Sequence, residues 1–134
     1  MKAAVLPGLR YRPLWMLGGF CLTLAVLVLS LLPAAQLPEV RVWDKFQHML
    51  AYVALALWFG GVVPRRRYAL VVAGLMTYGV LIELLQGWMQ QGRHADLGDL
   101  GANATGIAAG LLLALTPMGR WAHWLESWQR QTAP

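Results

Sequence analysis

Charged side chains are scarce in this chain. Asp, Glu, Lys and Arg make up 13% of its 134 residues, whereas hydrophobic residues make up 58%. A soluble domain carries roughly a quarter charged residues, so too few polar groups are present here to cover a surface that faces water. The composition excludes an ordinary soluble enzyme or binding module. It predicts a single domain, residues 1–134, with lipid as its solvent.

Cysteine and acidic residues are also few. Cys21 is the single cysteine, so it has no disulfide partner in the chain, and its apolar neighbours offer no metal ligands. Eleven Lys and Arg outnumber six Asp and Glu, a balance that in a soluble protein would suggest nucleic acid. Here the basic residues form short clusters between apolar runs. They therefore indicate membrane topology, and no nucleic-acid partner is predicted.

Four long apolar runs occupy most of the chain. The first, residues 14–32, holds no charge and would span about 28 Å as a helix, close to the roughly 30 Å hydrocarbon core. A cleaved signal peptide is the alternative for this run, but its apolar region would be shorter and Pro33-Ala34-Ala35 is a poor cleavage site. The sequence predicts an all-α polytopic membrane protein, a bundle of four transmembrane helices at residues 14–32, 46–63, 68–89 and 97–117.

A short tail follows the fourth run. Trp121, Trp124, Leu125 and Trp128 are spaced at i, i+3, i+4 and i+7, which places them on one face of a helix. Tryptophans concentrate at the level of the lipid headgroups. Residues 119–130 are therefore predicted to form a short interfacial amphipathic helix.

The distribution of basic residues predicts the orientation. With four spans, eight Lys and Arg fall on one side of the membrane, in the N-terminus, the Arg65–Arg67 loop and the tail, and three fall on the other. The positive-inside rule then places both termini of the multi-pass protein in the cytoplasm. The loops 33–44 and 90–96 are expected outside.

Polar residues within the runs follow helical spacing. One face of the second helix carries Asp44, His48 and Tyr52, next to Lys45; the third carries Glu83 and Gln86; the fourth carries Asp96, Asp99 and Asn103. All lie at similar depth in the outer half of the predicted bundle. Because a charge at mid-membrane costs roughly 2.5–3.5 kcal/mol on insertion scales, these residues are expected to face one another in a polar pocket open to the outside.

Structural roles are the alternative for most of these residues. Asp44, Asp99 and Asn103 can cap the starts of helices, and Lys45 and Arg93 can extend toward the interface. Glu83 is the hardest to explain in this way, because it lies deep in its run and far from a helix N-terminus. An intramembrane carboxylate is by default a candidate functional residue.

Gly106 and Gly110 form a G-x-x-x-G motif on the fourth helix, with Ala102 one turn before it. The motif predicts close helix packing inside the bundle. A homo-oligomer through the same face is a weaker prediction.

The ordered set of motifs resembles the VanZ-like family of bacterial membrane proteins. The segments are Asp44-Lys45-Phe46-Gln47-His48-Met49-Leu50-Ala51-Tyr52, Glu83-Leu84-Leu85-Gln86, Arg93-His94-Ala95-Asp96-Leu97-Gly98-Asp99 and Asn103-Ala104-Thr105-Gly106. They span about half the chain, and Ala95 stands where the family has a small polar residue. The resemblance implies a role at the outer face of the bacterial envelope, where the founding member lowers sensitivity to the glycopeptide teicoplanin. It implies no particular reaction.

Two functions are compatible with the predicted pocket. The first is binding of a membrane lipid or a lipid-linked cell-envelope precursor, and its candidate residues are Lys45, His48, Tyr52, Glu83, Gln86, Arg93, Asp96, Asp99 and Asn103. The second is an intramembrane hydrolase or transferase acting on such a lipid, with His48 as general acid or base and Asp44 or Glu83 orienting it.

No cofactor is predicted. Glu83, Asp96, Asp99 and His48 have side chains that suit a divalent cation, but their spacing matches no known metal motif, so no metal is predicted either. A transporter is disfavoured, because the chain has no inverted repeat and its polar groups lie in one leaflet.

Overall fold

The computed structural model describes residues 6, 8–32, 41–89 and 96–132, with residues 41–44 and 132 given by backbone alone. Regular secondary structure in these ranges is helical, as the predicted all-α class requires. The helices are α1 (Arg12–Ser30), α2 (Arg41–Val62), α3 (Tyr68–Met89), α4 (Leu97–Leu115) and the shorter α5 (Trp121–Thr132). Single 3₁₀ turns, Arg65–Arg67 and Pro117–Arg120, precede α3 and α5.

Proline and one aspartate set several of the helix boundaries. Pro13 lies in the first turn of α1, where its missing N–H would have no helical partner in any case. Pro64 has extended backbone angles and separates α2 from the Arg65–Arg67 turn. Asp96 caps α4, because its side chain accepts a hydrogen bond of 2.7 Å from the amide of Gly98.

The central helix of the bundle is α2, which packs on α1, α3, α4 and α5. Tyr52 and Leu55 on α2 are at most 1% exposed. The most extensive contact is with α4, where a Cβ atom added at Gly110 would lie 2.6 Å from the carbonyl oxygen of Val53. Gly106 faces the backbone of α2 just as closely. The glycine face of α4 is therefore covered by α2 of the same chain.

Within the described ranges, three segments have the length and hydropathy to cross a membrane: Arg12–Ser30, Arg65–Met89 and Leu97–Leu115. Large apolar side chains cover their outer surfaces, among them Leu14, Phe20, Leu70, Leu84 and Leu112. Such a surface suits hydrocarbon, so the chain has the character of a membrane protein.

The predicted second span, α2, is not among these segments. It has 22 residues but is the least apolar of the four long helices, because Lys45, Gln47 and His48 lie near its start. Its central position buries much of its surface against other helices rather than against lipid. The all-helical class is thus confirmed, whereas a bundle of four spans stays a prediction.

Glu126 fastens α5 to the beginning of α1. Its side chain is 1% exposed and accepts hydrogen bonds from the amides of Arg10 (2.8 Å) and Tyr11 (3.0 Å) and from the indole of Trp15 (2.7 Å). Burial alone would raise the pKa of Glu126, but these hydrogen bonds lower it below the ordinary value. A single carboxylate thus joins elements near the two ends of the chain.

The tail tryptophans do not all lie on one surface. Trp124 and Trp128 are exposed, as an interfacial helix would require. Trp121 instead packs against the rings of Trp15 and Trp58, at centroid distances of 5.2 and 4.7 Å. Gly61 leaves room for the Trp121 indole against α2. The single exposed face predicted from the spacing is therefore wrong for Trp121, which packs on the bundle.

Candidate functional site

Two buried polar side chains lie one turn apart on α2. His48 is 6% exposed and Tyr52 is 1% exposed. The Nδ1 atom of His48 lies 3.2 Å from Oδ1 of Asn103 on α4. In the tautomer protonated at Nδ1, His48 donates to Asn103 and keeps a lone pair on Nε2. The Tyr52 hydroxyl has no hydrogen-bond partner among the residues that the structure describes.

Glu83 is the polar residue that α3 supplies to the same region, and it is 4% exposed. Its Oε2 atom accepts a hydrogen bond of 2.9 Å from the backbone amide of Asp96. That bond links the last third of α3 to the N-terminal cap of α4. The other oxygen, Oε1, is buried and has no hydrogen-bond partner in the described part of the chain.

The first turns of α4 supply Asp99 and Asn103, which are 5% and 1% exposed. Lys45 of α2 bridges two acidic residues at this helix start, with Nζ 2.6 Å from Oδ2 of Asp96 and 3.3 Å from Oδ1 of Asp99. The Lys45 and Asp96 side chains are about half exposed, so this ion pair forms the rim of the site and Asp99 its inner wall. The Lys45 ammonium lies directly against Gly98, where a Cβ atom would force the flexible lysine side chain to shift.

His48, Glu83 and Asp99 converge from three helices. Each offers one nitrogen or oxygen atom, and these atoms all lie within 4.8 Å of one another. Their side chains turn inward from the surrounding lipid-facing surface, which avoids the cost of placing charge against hydrocarbon. Two of the three are carboxylates, so the centre of the pocket is rich in acceptors.

Gly79 of α3 lies against this centre. An added Cβ atom at Gly79 of α3 would lie 2.9 Å from Nδ2 of Asn103 and 3.0 Å from the hydroxyl of Tyr52. Both polar atoms are buried and lack a hydrogen-bond partner within the described residues. The absence of a side chain at Gly79 therefore lets these two polar groups pack directly against α3.

This arrangement permits two kinds of chemistry. The Lys45 ammonium, the Tyr52 hydroxyl and the Asn103 amide can donate to phosphate oxygens. Glu83 can accept from hydroxyl or ammonium groups. His48 beside a carboxylate is also the pairing used for proton transfer in catalysis.

The structure brings together most of the candidate residues chosen from sequence. Those at the pocket or its rim are Lys45, His48, Tyr52, Glu83, Asp96, Asp99 and Asn103. Gln86 is buried but directed elsewhere, since its Nε2 donates to the carbonyl oxygen of Ser30 at the end of α1. The side chain of Asp44 and all of Arg93 lie outside the described residues. The capping role considered for Asp99 and Asn103 belongs to Asp96.

Sequence reasoning missed Gly79 and Gly98, because a glycine carries no chemical group that would single it out. The only signal available was their position, opposite polar residues on neighbouring helices. The convergence of His48, Glu83 and Asp99, by contrast, was expected from their shared depth, and the structure places one donor atom of each within 4.8 Å of the others. No protein-family model, curated protein or solved structure matches the chain.

Proposed function

We propose that the chain is a four-span protein of the bacterial inner membrane whose outward-facing pocket binds the headgroup of a lipid or lipid-linked envelope precursor. One observation carries the proposal. Three buried polar atoms, Tyr52 Oη, Glu83 Oε1 and Asn103 Nδ2, have no hydrogen-bond partner among the described residues and belong to one cluster of polar side chains around His48.

Leaving such atoms unpaired is costly. Each unsatisfied buried polar group costs about 1–3 kcal/mol, and native structures leave few of them. Three of them in one pocket, on three different helices, favour a bound molecule that supplies the missing partners. Tyr52 and Asn103 offer donors, and Glu83 offers an acceptor, so the molecule must itself carry both acceptors and donors.

A lipid headgroup has this combination. Its phosphate accepts from Lys45, Tyr52 and Asn103, and its hydroxyl or ammonium groups donate to Glu83. The pocket lies where α2 and α4 begin and α3 approaches its end, within a membrane-embedded surface that a lipid reaches by lateral diffusion. Headgroup binding therefore fits both the chemistry and the location.

The position of the basic residues indicates which way the protein is oriented in the membrane. The Arg65–Arg67 turn lies at the opposite end of the bundle from the pocket, near the end of α4, since Arg65 donates to the carbonyl oxygen of Leu115 at 3.1 Å. Positive clusters mark the cytoplasmic side, which would place the pocket on the outer side. The resemblance to the VanZ-like family favours the same placement and an effect on sensitivity to teicoplanin-type glycopeptides.

Two tyrosines allow a matched test of binding. Tyr52→Phe removes an unpartnered hydroxyl, whereas Tyr78→Phe removes one that donates to the carbonyl oxygen of Thr23 at 2.7 Å. We expect Tyr52→Phe to weaken binding of phosphatidylglycerol or undecaprenyl phosphate about three- to tenfold with little loss of stability. Tyr78→Phe should instead lower stability and spare binding. Native mass spectrometry and thermal unfolding of the purified protein measure the two effects, and equal affinities for wild type and Tyr52→Phe would contradict the proposal.

Reporter fusions test the orientation separately. Fusions after Ala35 and after Gly92 should score as external, and a fusion after Arg66 as cytoplasmic. A cytoplasmic score at Gly92 would overturn the outward-facing pocket. Deletion and complementation, read out as teicoplanin susceptibility, test the role in the envelope.

Catalysis on the same lipid is the second candidate, because His48 lies within 4.8 Å of both Glu83 and Asp99. In an enzyme, His48→Ala should reduce turnover by roughly 10²–10⁴-fold while the lipid still binds. In a binding protein, affinity and phenotype should fall together. A lipid-linked precursor that is chemically altered by the wild type and spared by His48→Ala would favour the enzyme.

A further inference from the structure

The centre of the pocket contains three side chains of the types that bind metal ions. His48, Glu83 and Asp99 are each at most 6% exposed, and one donor atom from each lies within 4.8 Å of the others. Ligand atoms around one metal ion are typically about 3–4 Å apart when each bond is near 2.1 Å. Small side-chain rotations would therefore bring all three donors onto a common ion.

The hydrogen bonds around these residues leave metal-binding atoms available. Glu83 uses Oε2 to accept from the amide of Asp96, and its buried Oε1 has no partner among the described residues. His48 has Nδ1 within 3.2 Å of Asn103 Oδ1. A metal-binding histidine commonly donates from one ring nitrogen to such an oxygen, which orients the ring and directs the other nitrogen to the metal.

The charges of these side chains also favour a bound cation. Glu83 and Asp99 are two buried carboxylates with their oxygens close together, and like charges at this distance destabilise each other. Lys45 lies 3.3 Å from Asp99 and shares its charge with Asp96. No ion pair to Glu83 is found within the described ranges. A divalent cation between the carboxylates would balance their charge.

We propose that His48, Glu83 and Asp99 bind one divalent transition-metal ion of the Zn²⁺ or Mn²⁺ class. One imidazole with two carboxylates suits these ions better than Ca²⁺ or Mg²⁺, which prefer oxygen ligands alone. Three protein ligands leave a coordination position open. The inference rests on the proposed function and deepens it: the ion, rather than a headgroup donor, would then pair with Oε1 of Glu83, and it would attract the phosphate of the headgroup past the two carboxylates.

Metal content of the purified full-length protein gives the first test. After chelation, the protein is equilibrated with Zn²⁺ or Mn²⁺ and the bound metal is measured by inductively coupled plasma mass spectrometry. We expect close to one ion per chain for the wild type, and less than a tenth of an ion would overturn the inference. This measurement depends on no variant, so it remains decisive if a substitution prevents folding.

Variants then locate the ion. His48→Ala, Glu83→Gln and Asp99→Asn should each weaken metal binding by about 100-fold or more, since loss of an outer-shell partner alone costs 10–100-fold. The matched controls are His123→Ala and Glu126→Gln, which change the same residue types near α5 and should bind like the wild type. Equal loss in the controls, or no loss in the three site variants, would contradict this site.

The two proposals can fail separately. Tyr52 is not one of the three metal-binding residues, so Tyr52→Phe should keep the ion and weaken headgroup binding. If the wild type holds no ion but Tyr52→Phe still weakens lipid binding, the metal inference alone is wrong. If the ion binds and neither phosphatidylglycerol nor undecaprenyl phosphate does, the proposed function is wrong and the metal site stands.

Discussion

The backbone amide of Asp96 donates a 2.9 Å hydrogen bond to Oε2 of Glu83, across the gap between α3 and α4. Asp96 is also the N-cap of α4, so this bond fixes the start of α4 against the side of α3. One oxygen of Glu83 therefore has a structural role, while the other faces the pocket without a partner in the described chain. The Glu83 carboxylate therefore contributes both to the packing of α4 on α3 and to the candidate site.

The two buried glutamates should respond differently to the same substitution. Glu83→Gln keeps a carbonyl oxygen for the amide of Asp96 and removes the charge, so stability should change little while headgroup binding falls at least about tenfold. Glu126→Gln replaces one acceptor oxygen with an NH₂ group, which would face the N–H donors of Arg10, Tyr11 and Trp15. This substitution should lower the free energy of unfolding by about 1–3 kcal/mol and leave headgroup binding unchanged.

Unfolding in detergent and native mass spectrometry measure these two properties on the same samples. The result that contradicts the distinction is a Glu83→Gln protein that loses stability as much as Glu126→Gln does. Glu83 would then act mainly in holding α3 and α4 together.

Acid should loosen the contact between α5 and α1. The pKa of Glu126 is lowered in the fold, because the hydrogen bonds from Arg10, Tyr11 and Trp15 outweigh the effect of burial. A carboxyl whose folded pKa lies below its unfolded value contributes stability above the unfolded value of about 4.5 and loses it as the pH falls through the folded pKa. Wild type should therefore be more stable than Glu126→Gln at pH 7, and the difference should shrink below about pH 4.5. Thermal unfolding from pH 7 to 3 measures it, and a constant difference would show that the charge of Glu126 is not responsible.

Close packing of α2 on α4 should depend on individual glycines of α4. A Cβ atom at Gly110 would lie 2.6 Å from the backbone oxygen of Val53 and 2.7 Å from Cβ of Ala56, so Gly110→Ala should destabilise by about 1–3 kcal/mol. A Cβ atom added at Gly101 on the same helix would meet no side chain and no other helix within 4 Å among the described residues. Gly101→Ala should be neutral or up to about 1 kcal/mol more stable, because alanine favours helix. Unfolding in detergent compares the pair, and equal stability of the two variants would contradict the packing argument.

The helices were predictable because hydrophobic runs and prolines are local signals. Pro64 and the three arginines after it separate α2 from α3 in the sequence as they do in the fold. Helical spacing likewise put His48 and Tyr52 on one face, and the cost of exposing charge to lipid put that face inside. The pocket follows from the same two arguments, applied to three helices.

Contacts between distant segments were not predictable in this way. Glu126 lies in a polar, tryptophan-rich tail, and nothing in its local sequence indicates that it would meet the amides of Arg10 and Tyr11. Gln86 shares a helix face with Glu83 by spacing, yet it reaches the carbonyl of Ser30. Which neighbour a polar side chain meets depends on how the helices are arranged, and periodicity carries no information about that arrangement.

Gly79 provides a direct test of the positions of two unpartnered groups. Alanine there would place a methyl group 2.9 Å from Nδ2 of Asn103 and 3.0 Å from the hydroxyl of Tyr52, too close for ordinary packing, so these two side chains would have to shift. We expect Gly79→Ala to weaken headgroup binding at least about tenfold, because the two donors are displaced from the positions in which they meet the ligand. Gly74 of α3 is the control, since a Cβ atom added there would meet no side chain and no other helix within 4 Å in the described part of the chain. Gly74→Ala should bind like the wild type and gain up to about 1 kcal/mol of stability. Native mass spectrometry with phosphatidylglycerol or undecaprenyl phosphate decides between them: if Gly79→Ala binds as well as Gly74→Ala, the ligand does not contact Tyr52 Oη and Asn103 Nδ2.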